Sequence, residues 1–353
     1  MSLKEFNSHL RKRLLLFLWR QWTLLGLSSS SSESGDGWVI DPEALLLFSA
    51  NIARWDPRLY DEIMDWMKAN ANFINMPRLK SLLRRFEFSS LRSISAMSAT
   101  VSCHNKRLNW RINSFAKDAE PIPLFQSGAD HLPTGYGQED RIFRDYGYIR
   151  GRVNLRGMSS RFNPIIPESL ILRLRALVGI TARAEIIAHL CTHNSAHPRQ
   201  LALETGYSQK NVQDTLVDMA ASQYIQAAQT RGRRKIYFIL PGTQEELLLK
   251  PGKPPRWVVW PYIFRALEIM WMKLHKLETG RFSPLMLASE IRELKRVVQP
   301  LAEKGGFPDA FSSETAFPGE KYPPVFFQNA ERWLINILNE RQPAEKLQHL
   351  GKG

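Results

Sequence analysis

The segment from Gly179 to Leu240 constrains the fold of this chain more than any other. Its pattern of apolar residues predicts a helix, a second helix, a turn, a third helix and a two-stranded ribbon. Ala202 supplies a small side chain where the second and third helices would cross. Gly206 follows four residues later and can end the second helix in the left-handed conformation, because it has no Cβ. Ser208 can then cap the third helix.

The third helix of this segment has an apolar and a polar face. Val212, Leu216 and Met219 recur at steps of three and four residues and predict a buried stripe. The polar face carries side chains that can reach base edges and phosphates: Gln209, Lys210, Gln213 and Asp214.

The ribbon consists of two predicted strands, residues 225–229 and 235–240, joined by a turn that contains Gly232. Four basic residues surround that glycine: Arg231, Arg233, Arg234 and Lys235. Such a tip suits contact with a phosphate backbone. A solvated turn with no partner is the alternative interpretation.

In this order of elements, residues 179–240 resemble the winged helix-turn-helix DNA-binding domains of bacterial regulators, such as the arsenic-sensing and multiple-antibiotic-resistance repressors. The resemblance implies that the third helix reads the major groove and that the ribbon contacts phosphates or the minor groove. The implied DNA-binding residues are Ser208, Gln209, Lys210, Asn211, Gln213, Arg231, Arg233, Arg234 and Lys235. The segment departs from the usual pattern at Thr215, where an aliphatic residue is common, and Leu216 is expected to fill the core instead.

The whole chain predicts a mainly α fold with a small β component. We divide it into a helical N-terminal domain (1–90), a basic connecting region rich in Gly, Pro and Ser (91–164), the winged helix-turn-helix (165–242) and a helical, aromatic-rich C-terminal domain (254–345). Asp41 and Asp56, each followed by proline, predict helix starts. Residues 89–102 predict a pair of strands.

The charge of the chain favours a polyanionic partner. The formal net charge is +14 and the pI is about 9.9, and neutralising phosphates releases counterions. Residues 78–175 carry about twice as many basic as acidic residues. Within them, Arg150, Arg152 and Arg156 lie in a stretch that also contains Tyr146, Tyr148 and Phe162, and they are candidates for additional DNA contacts. Alternatively, they belong to a solvated loop that its aromatic residues anchor to the body.

The last helix of the N-terminal domain offers a second basic surface. Its basic residues, Arg78, Lys80, Arg84 and Arg85, surround a leucine stripe. The domain is therefore either a divergent second helix-turn-helix or a plain helical interaction domain.

The composition is that of an ordinary soluble protein, with 44% hydrophobic residues and a mean hydropathy of −0.30. The apolar run from Leu14 to Leu27 is interrupted by Arg20 and Gln21 and is too short to span a membrane. Two cysteines make no disulfide framework, which fits a reducing cytoplasm.

Catalytic and cofactor motifs are not apparent in the sequence, which predicts a protein that is not an enzyme and needs no cofactor. Asp61, Glu62 and Asp65 are interpreted as a solvated helix face. The one metal-like pattern combines His189, His193 and Cys191. On an ideal helix, however, the cysteine points about 200° away from His189, so we predict no metal site.

These features favour a cytoplasmic transcriptional regulator that binds double-stranded DNA as a homodimer. Two alternatives remain open. One is an antitoxin-like or defence-associated adaptor that binds another protein through its winged helix. The other is a metal- or redox-sensing repressor.

Overall fold

The computed structural model describes residues 1–28, 35, 37–104, 110, 112, 120–126, 138–230, 232, 235–248, 255–311 and 319–338. The mainly α fold with a small β component is confirmed. The helices are α1 (Leu3–Leu24), α2 (Pro42–Ile52), α3 (Pro57–Asn70), α4 (Met76–Arg85), α5 (Leu91–His104), α6 (Arg141–Asp145), α7 (Leu170–Val178), α8 (Ala182–Thr192), α9 (Pro198–Thr205), α10 (Gln209–Ala221), α11 (Pro241–Leu248), α12 (Trp260–Thr279), α13 (Pro284–Lys304) and α14 (Tyr322–Leu338). None of these helices combines the length and apolarity that a membrane span requires.

Two small sheets accompany these helices in the described part of the chain. Strands β1 (Ile122–Pro123) and β2 (Tyr148–Ile149) pair in parallel, whereas β3 (Ile225–Gln229) and β4 (Lys235–Ile239) form an antiparallel hairpin.

The chain forms two compact units. One combines Met1–Phe17 with Ile269–Gly353, and the other contains Leu18–Glu268. In the first unit, Phe6 stacks on Phe327 with ring centroids 4.8 Å apart. Asn7 Nδ2 donates to the carbonyl oxygen of Leu274 at 3.0 Å, so α1 packs against α14 and is joined to α12 by a buried hydrogen bond.

Side-chain caps set the starts of the N-terminal helices of the second unit. The carboxylates of Asp41 and Asp56 accept hydrogen bonds from the amides of Ala44 and Leu59, which confirms both predicted starts. Asn75 caps α4 in the same way, one residue before Met76.

The strand pair predicted at residues 89–102 is wrong, because this segment forms α5. Ile94, Met97 and Val101 recur at steps of three and four residues and are all buried, which is the helical period. The serines between them are small enough to be buried too, and Ser95 Oγ donates back to the carbonyl oxygen of Leu91. Serine content therefore concealed a helix.

Helices α7 to α11 share one hydrophobic core with the β3–β4 hairpin. Leu174, Ile186 and Leu201 are among its fully buried members. Residues 241–248, most of which lie between the predicted winged helix and the predicted C-terminal domain, form α11 and pack Leu247 and Leu248 against this core. The fold thus continues past β4.

Candidate nucleic-acid interface

Helices α9 and α10 are joined by a tight turn at Gly206. This glycine adopts the left-handed conformation with φ of +82°, as its position predicts. Ser208 Oγ accepts a 3.2 Å hydrogen bond from the amide of Asn211 and caps α10. Ala202 is buried between the helices.

The buried stripe of α10 consists of Val212, Leu216 and Met219. Thr215 does not enter the core, because its hydroxyl donates a 2.7 Å hydrogen bond to the carbonyl oxygen of Asn211 one turn earlier. Leu216 fills the core instead, as the sequence predicts.

The N-terminal part of α10 presents polar side chains to solvent. Gln209, Lys210 and Asn211 are all exposed. Gln213 is half-buried, and its Nε2 donates to the hydroxyl of Tyr237 on β4 at 3.4 Å. Gln213 therefore links α10 to the hairpin, whereas the three residues before it face outward.

The hairpin is joined to the rest of the domain through β4. Its register pairs Ile225 with Ile239 and Gln229 with Lys235, and Ala196 exchanges two 2.9 Å backbone hydrogen bonds with Tyr237. Lys235 is exposed and lies over the Tyr237 ring. Arg231, Arg233 and Arg234 lie outside the described residues.

Two exposed side chains at the start of α9 extend this polar surface. Arg199 and Gln200 are solvent-facing, beside a helix N-terminus whose amides favour anions. Sequence reasoning missed them, although Pro198 is a residue typical of the first position of a helix and places both in its first turn.

A buried ionic network joins this region to the N-terminal helices. Arg78 on α4 donates to Asp41 and to Glu43 at 2.7 Å, while Arg175 on α7 donates to Glu43 at 2.6 Å and to Glu185 on α8 at 2.9 Å. All five side chains are buried. Because a buried charge is tolerated only when it is paired, the network fixes α2, α4, α7 and α8 together.

The same network reaches the turn between α9 and α10. Arg78 Nε donates to the carbonyl oxygen of Thr205 at 2.7 Å. The hydroxyl of Tyr207 donates to Glu185 at 3.1 Å and accepts from Asn75 at 2.8 Å. Burial and the nearby Glu185 carboxylate raise the pKa of this phenol far above its usual value, so it stays protonated as a donor.

This arrangement decides what the basic residues of α4 do. The guanidinium of Arg78 is fully engaged in hydrogen bonds within the protein. Arg85 donates to the carbonyl oxygens of Ala202 and Leu203 in the second half of α9. Arg84 remains exposed and Lys80 is half-exposed. Helix α4 therefore serves chiefly as a support for the turn between α9 and α10.

Two of the three arginines in residues 150–156 form ion pairs with carboxylates on helix α3. Arg150 is buried and donates two hydrogen bonds to Asp61, at 2.7 and 2.9 Å, and Arg156 pairs with Glu62. Arg152 is exposed. Of these three candidates, Arg150 faces the protein and not the solvent.

The interpretation of Asp61, Glu62 and Asp65 as a solvated face is wrong. Glu62 and Asp65 are buried. The Asp65 carboxylate accepts from the amides of Gly157 and Ser159 at 2.7 and 2.9 Å. These carboxylates face residues 150–159, whose arginine side chains and backbone amides would lack hydrogen-bond acceptors without them.

The metal-like pattern is only partly brought together. His189 and His193 converge with Glu204, which sequence reasoning missed because it lies on the next helix. Cys191 belongs to the hydrophobic core, and burial raises the pKa of its thiol to about 12.

Comparison of the chain with protein-family models, with curated proteins and with solved structures finds no match.

Proposed function

We propose that residues 179–240 act as a winged helix-turn-helix that binds double-stranded DNA, and that the chain is a cytoplasmic transcriptional regulator. The single observation that carries the proposal is the exposure of Gln209, Lys210 and Asn211 at the start of α10. In helix-turn-helix proteins the N-terminal residues of the recognition helix contact base edges. Amide side chains suit adenine, and a lysine suits guanine or phosphate.

The surroundings of α10 support this proposal. Arg199 at the start of α9 and Lys235 on the hairpin are exposed on the elements that flank the recognition helix in such domains. The net charge of +14 supplies the attraction to a polyanion. A homodimer on a palindromic site is the proposed assembly, because one module of this size binds weakly alone.

A binding assay with duplex DNA at several salt concentrations tests the proposal. We expect Lys210→Ala and Arg199→Ala to weaken binding to all sequences and to lower its salt dependence, because each removes a phosphate contact. Asn211→Ala should change sequence preference with little change in salt dependence. Lys304→Ala, an exposed lysine at the end of α13, is the matched control.

An acidic residue on α10 gives a test of opposite sign. Asp214 is exposed one turn after Lys210 and repels phosphates if α10 enters the groove. Asp214→Asn should therefore strengthen binding. Weaker or unchanged binding in this variant, with unchanged binding in Lys210→Ala, would show that α10 is not the contact surface.

A protein-interaction adaptor is the second candidate function, and α10 itself carries the observation that favours it. Val217 is 51% exposed on this helix, between the exposed acidic residues Asp214 and Asp218. An apolar side chain flanked by carboxylates suits a basic protein surface better than DNA. Loss of all DNA affinity at about 0.1 M salt, together with a partner that co-purifies in stable proportion, would favour the adaptor.

A further inference from the structure

Two histidines and a glutamate converge where the end of α8 faces α9. His189 Nε2 lies 2.7 Å from Glu204 Oε2, and the rings of His189 and His193 stack with centroids 3.9 Å apart. One potential ligand atom from each of the three side chains lies within 4.8 Å of the other two.

The hydrogen bonds of His193 leave one of its ring nitrogens available to a cation. Its Nδ1 lies 3.0 Å from the carbonyl oxygen of His189. A carbonyl only accepts, so Nδ1 carries the hydrogen and Nε2 carries the free lone pair. Metal-binding histidines are usually oriented by such a bond to a backbone carbonyl. Burial and the neighbouring His189 lower the pKa of His193, which keeps the ring neutral near pH 7.

Glu204 is present as a carboxylate. Burial alone would raise its pKa, but the hydrogen bonds from His189 and Gln200 and the electrostatic influence of the two histidines together lower it. Its second oxygen accepts from Gln200 at 2.9 Å, which orients the group. His189 is fully buried, and its Nδ1 has no hydrogen-bond partner. Trp257 packs against both imidazoles and closes one side of the cluster.

We propose that His189, His193 and Glu204 bind a divalent transition-metal ion of the zinc class. Two imidazoles and one carboxylate form a ligand set that such ions use, with a fourth position for water. The core cysteine Cys191 is not one of the ligands, because its side chain packs among the apolar residues of the core and does not converge with the two histidines and Glu204.

Binding requires small rearrangements within the cluster. Metal–ligand bonds of about 2.0–2.2 Å replace the hydrogen bond between His189 and Glu204. The proton of His189 Nε2 leaves that atom, and Nδ1 takes up a proton to give the other neutral tautomer. The His193 ring turns out of its stack so that Nε2 points at the ion.

The bound ion would fix α8 to α9 two residues before Gly206, at the turn that leads into α10. Metal binding is a property of the protein alone and does not depend on the proposed DNA binding. An effect of the ion on DNA affinity would rest on both proposals.

Titration of the full-length, chelator-treated protein with Co²⁺ and Zn²⁺ tests this site. We expect one equivalent of Co²⁺ to produce the visible absorption of a tetrahedral site, and Zn²⁺ to displace it. His193→Ala and Glu204→Gln should each weaken Zn²⁺ binding by more than the roughly 10- to 100-fold that loss of an outer-shell partner costs. Circular dichroism checks that both variants are folded.

His104→Ala is the matched control. His104 also lies at the end of a helix, with its Nδ1 2.9 Å from the carbonyl oxygen four residues earlier. We expect this variant and Cys191→Ser to bind Zn²⁺ as the unaltered protein does. Absence of a stoichiometric Co²⁺ spectrum would overturn the proposal. So would unchanged binding in folded Glu204→Gln, or loss of binding in Cys191→Ser alone.

Discussion

The Nε atom of Arg78 donates a 2.7 Å hydrogen bond to the carbonyl oxygen of Thr205, the last residue of α9. Carbonyls at a helix C-terminus have no partner within the helix, so this bond satisfies one of them from outside. Because Asp41 and Glu43 hold the same guanidinium, α4 fixes the position of the turn that precedes α10. The exposed residues of α10 are thereby presented from a fixed support.

Removal of the Arg78 charge should destabilise the protein strongly. Arg78→Met leaves the Asp41 carboxylate buried without its principal partner, and we expect the free energy of unfolding to fall by about 3–5 kcal/mol. Urea unfolding measures the change. Arg84→Met, an exposed position on the same helix, should lie within about 0.5 kcal/mol of the unaltered protein. Equal losses in the two variants would contradict the buried network.

Removal of the Tyr207 hydroxyl, with the ring retained, should destabilise the protein. Tyr207→Phe leaves the amide of Asn75 and the carboxylate of Glu185 each without one bond. We expect a loss of about 1–3 kcal/mol in the free energy of unfolding. Tyr224→Phe changes a side chain that is 63% exposed and should be close to neutral. A neutral Tyr207→Phe would mean that water replaces the hydroxyl at this turn.

Gly206 should resist substitution for two separable reasons. Gly206→Ala incurs about 1–2 kcal/mol for the left-handed conformation. The new Cβ would also lie 2.6 Å from Leu82 Cδ2 on α4, which adds a cost of overpacking. The double variant with Leu82→Ala should therefore lose less stability than the sum of the two single changes. If the stability losses of the two single variants add up to that of the double variant in thermal unfolding, the Leu82 side chain moves aside without cost.

The loss of stability at acidic pH should depend on Asp41. Burial alone would raise the pKa of this carboxyl, but Arg78 holds it below the usual value of 3.8. As pH falls below 3.8, the unfolded chain takes up a proton before the folded one does, so this contribution to stability is lost. Asp41→Asn retains a good helix cap. It should be less stable at pH 7 and lose less on acidification.

A series of urea unfolding curves at decreasing pH measures that difference. Asp56→Asn changes the other aspartate cap of this region, whose carboxylate accepts from Leu59 and from the Trp19 indole but has no arginine hydrogen bond among the contacts described. A pH dependence of Asp41→Asn equal to that of the unaltered protein would show that the ion pair contributes nothing to acid sensitivity.

Local features of the chain could be predicted because they depend on near neighbours. The caps at Asp41 and Ser208, the left-handed Gly206 and the two strands of the hairpin all depend on residues within a few positions. The exposed start of α10 follows from the helical period in the same way. The error at residues 89–102 also has a local cause. Serine is an unfavourable residue for a helix interior, and the many serines obscure the helical period of the buried apolar residues.

The sequence by itself determined the caps, the helical and strand periods and the net basic charge, since each depends on residue type and short spacing. Only the tertiary structure decided which charges are available to a partner. Arg78 meets Thr205 and Arg150 meets Asp61 across long stretches of chain, and Glu204 joins His189 from another helix. The attraction between two charges depends on their distance in space. Their separation along the chain does not determine that distance, because folding brings together residues that are far apart in sequence.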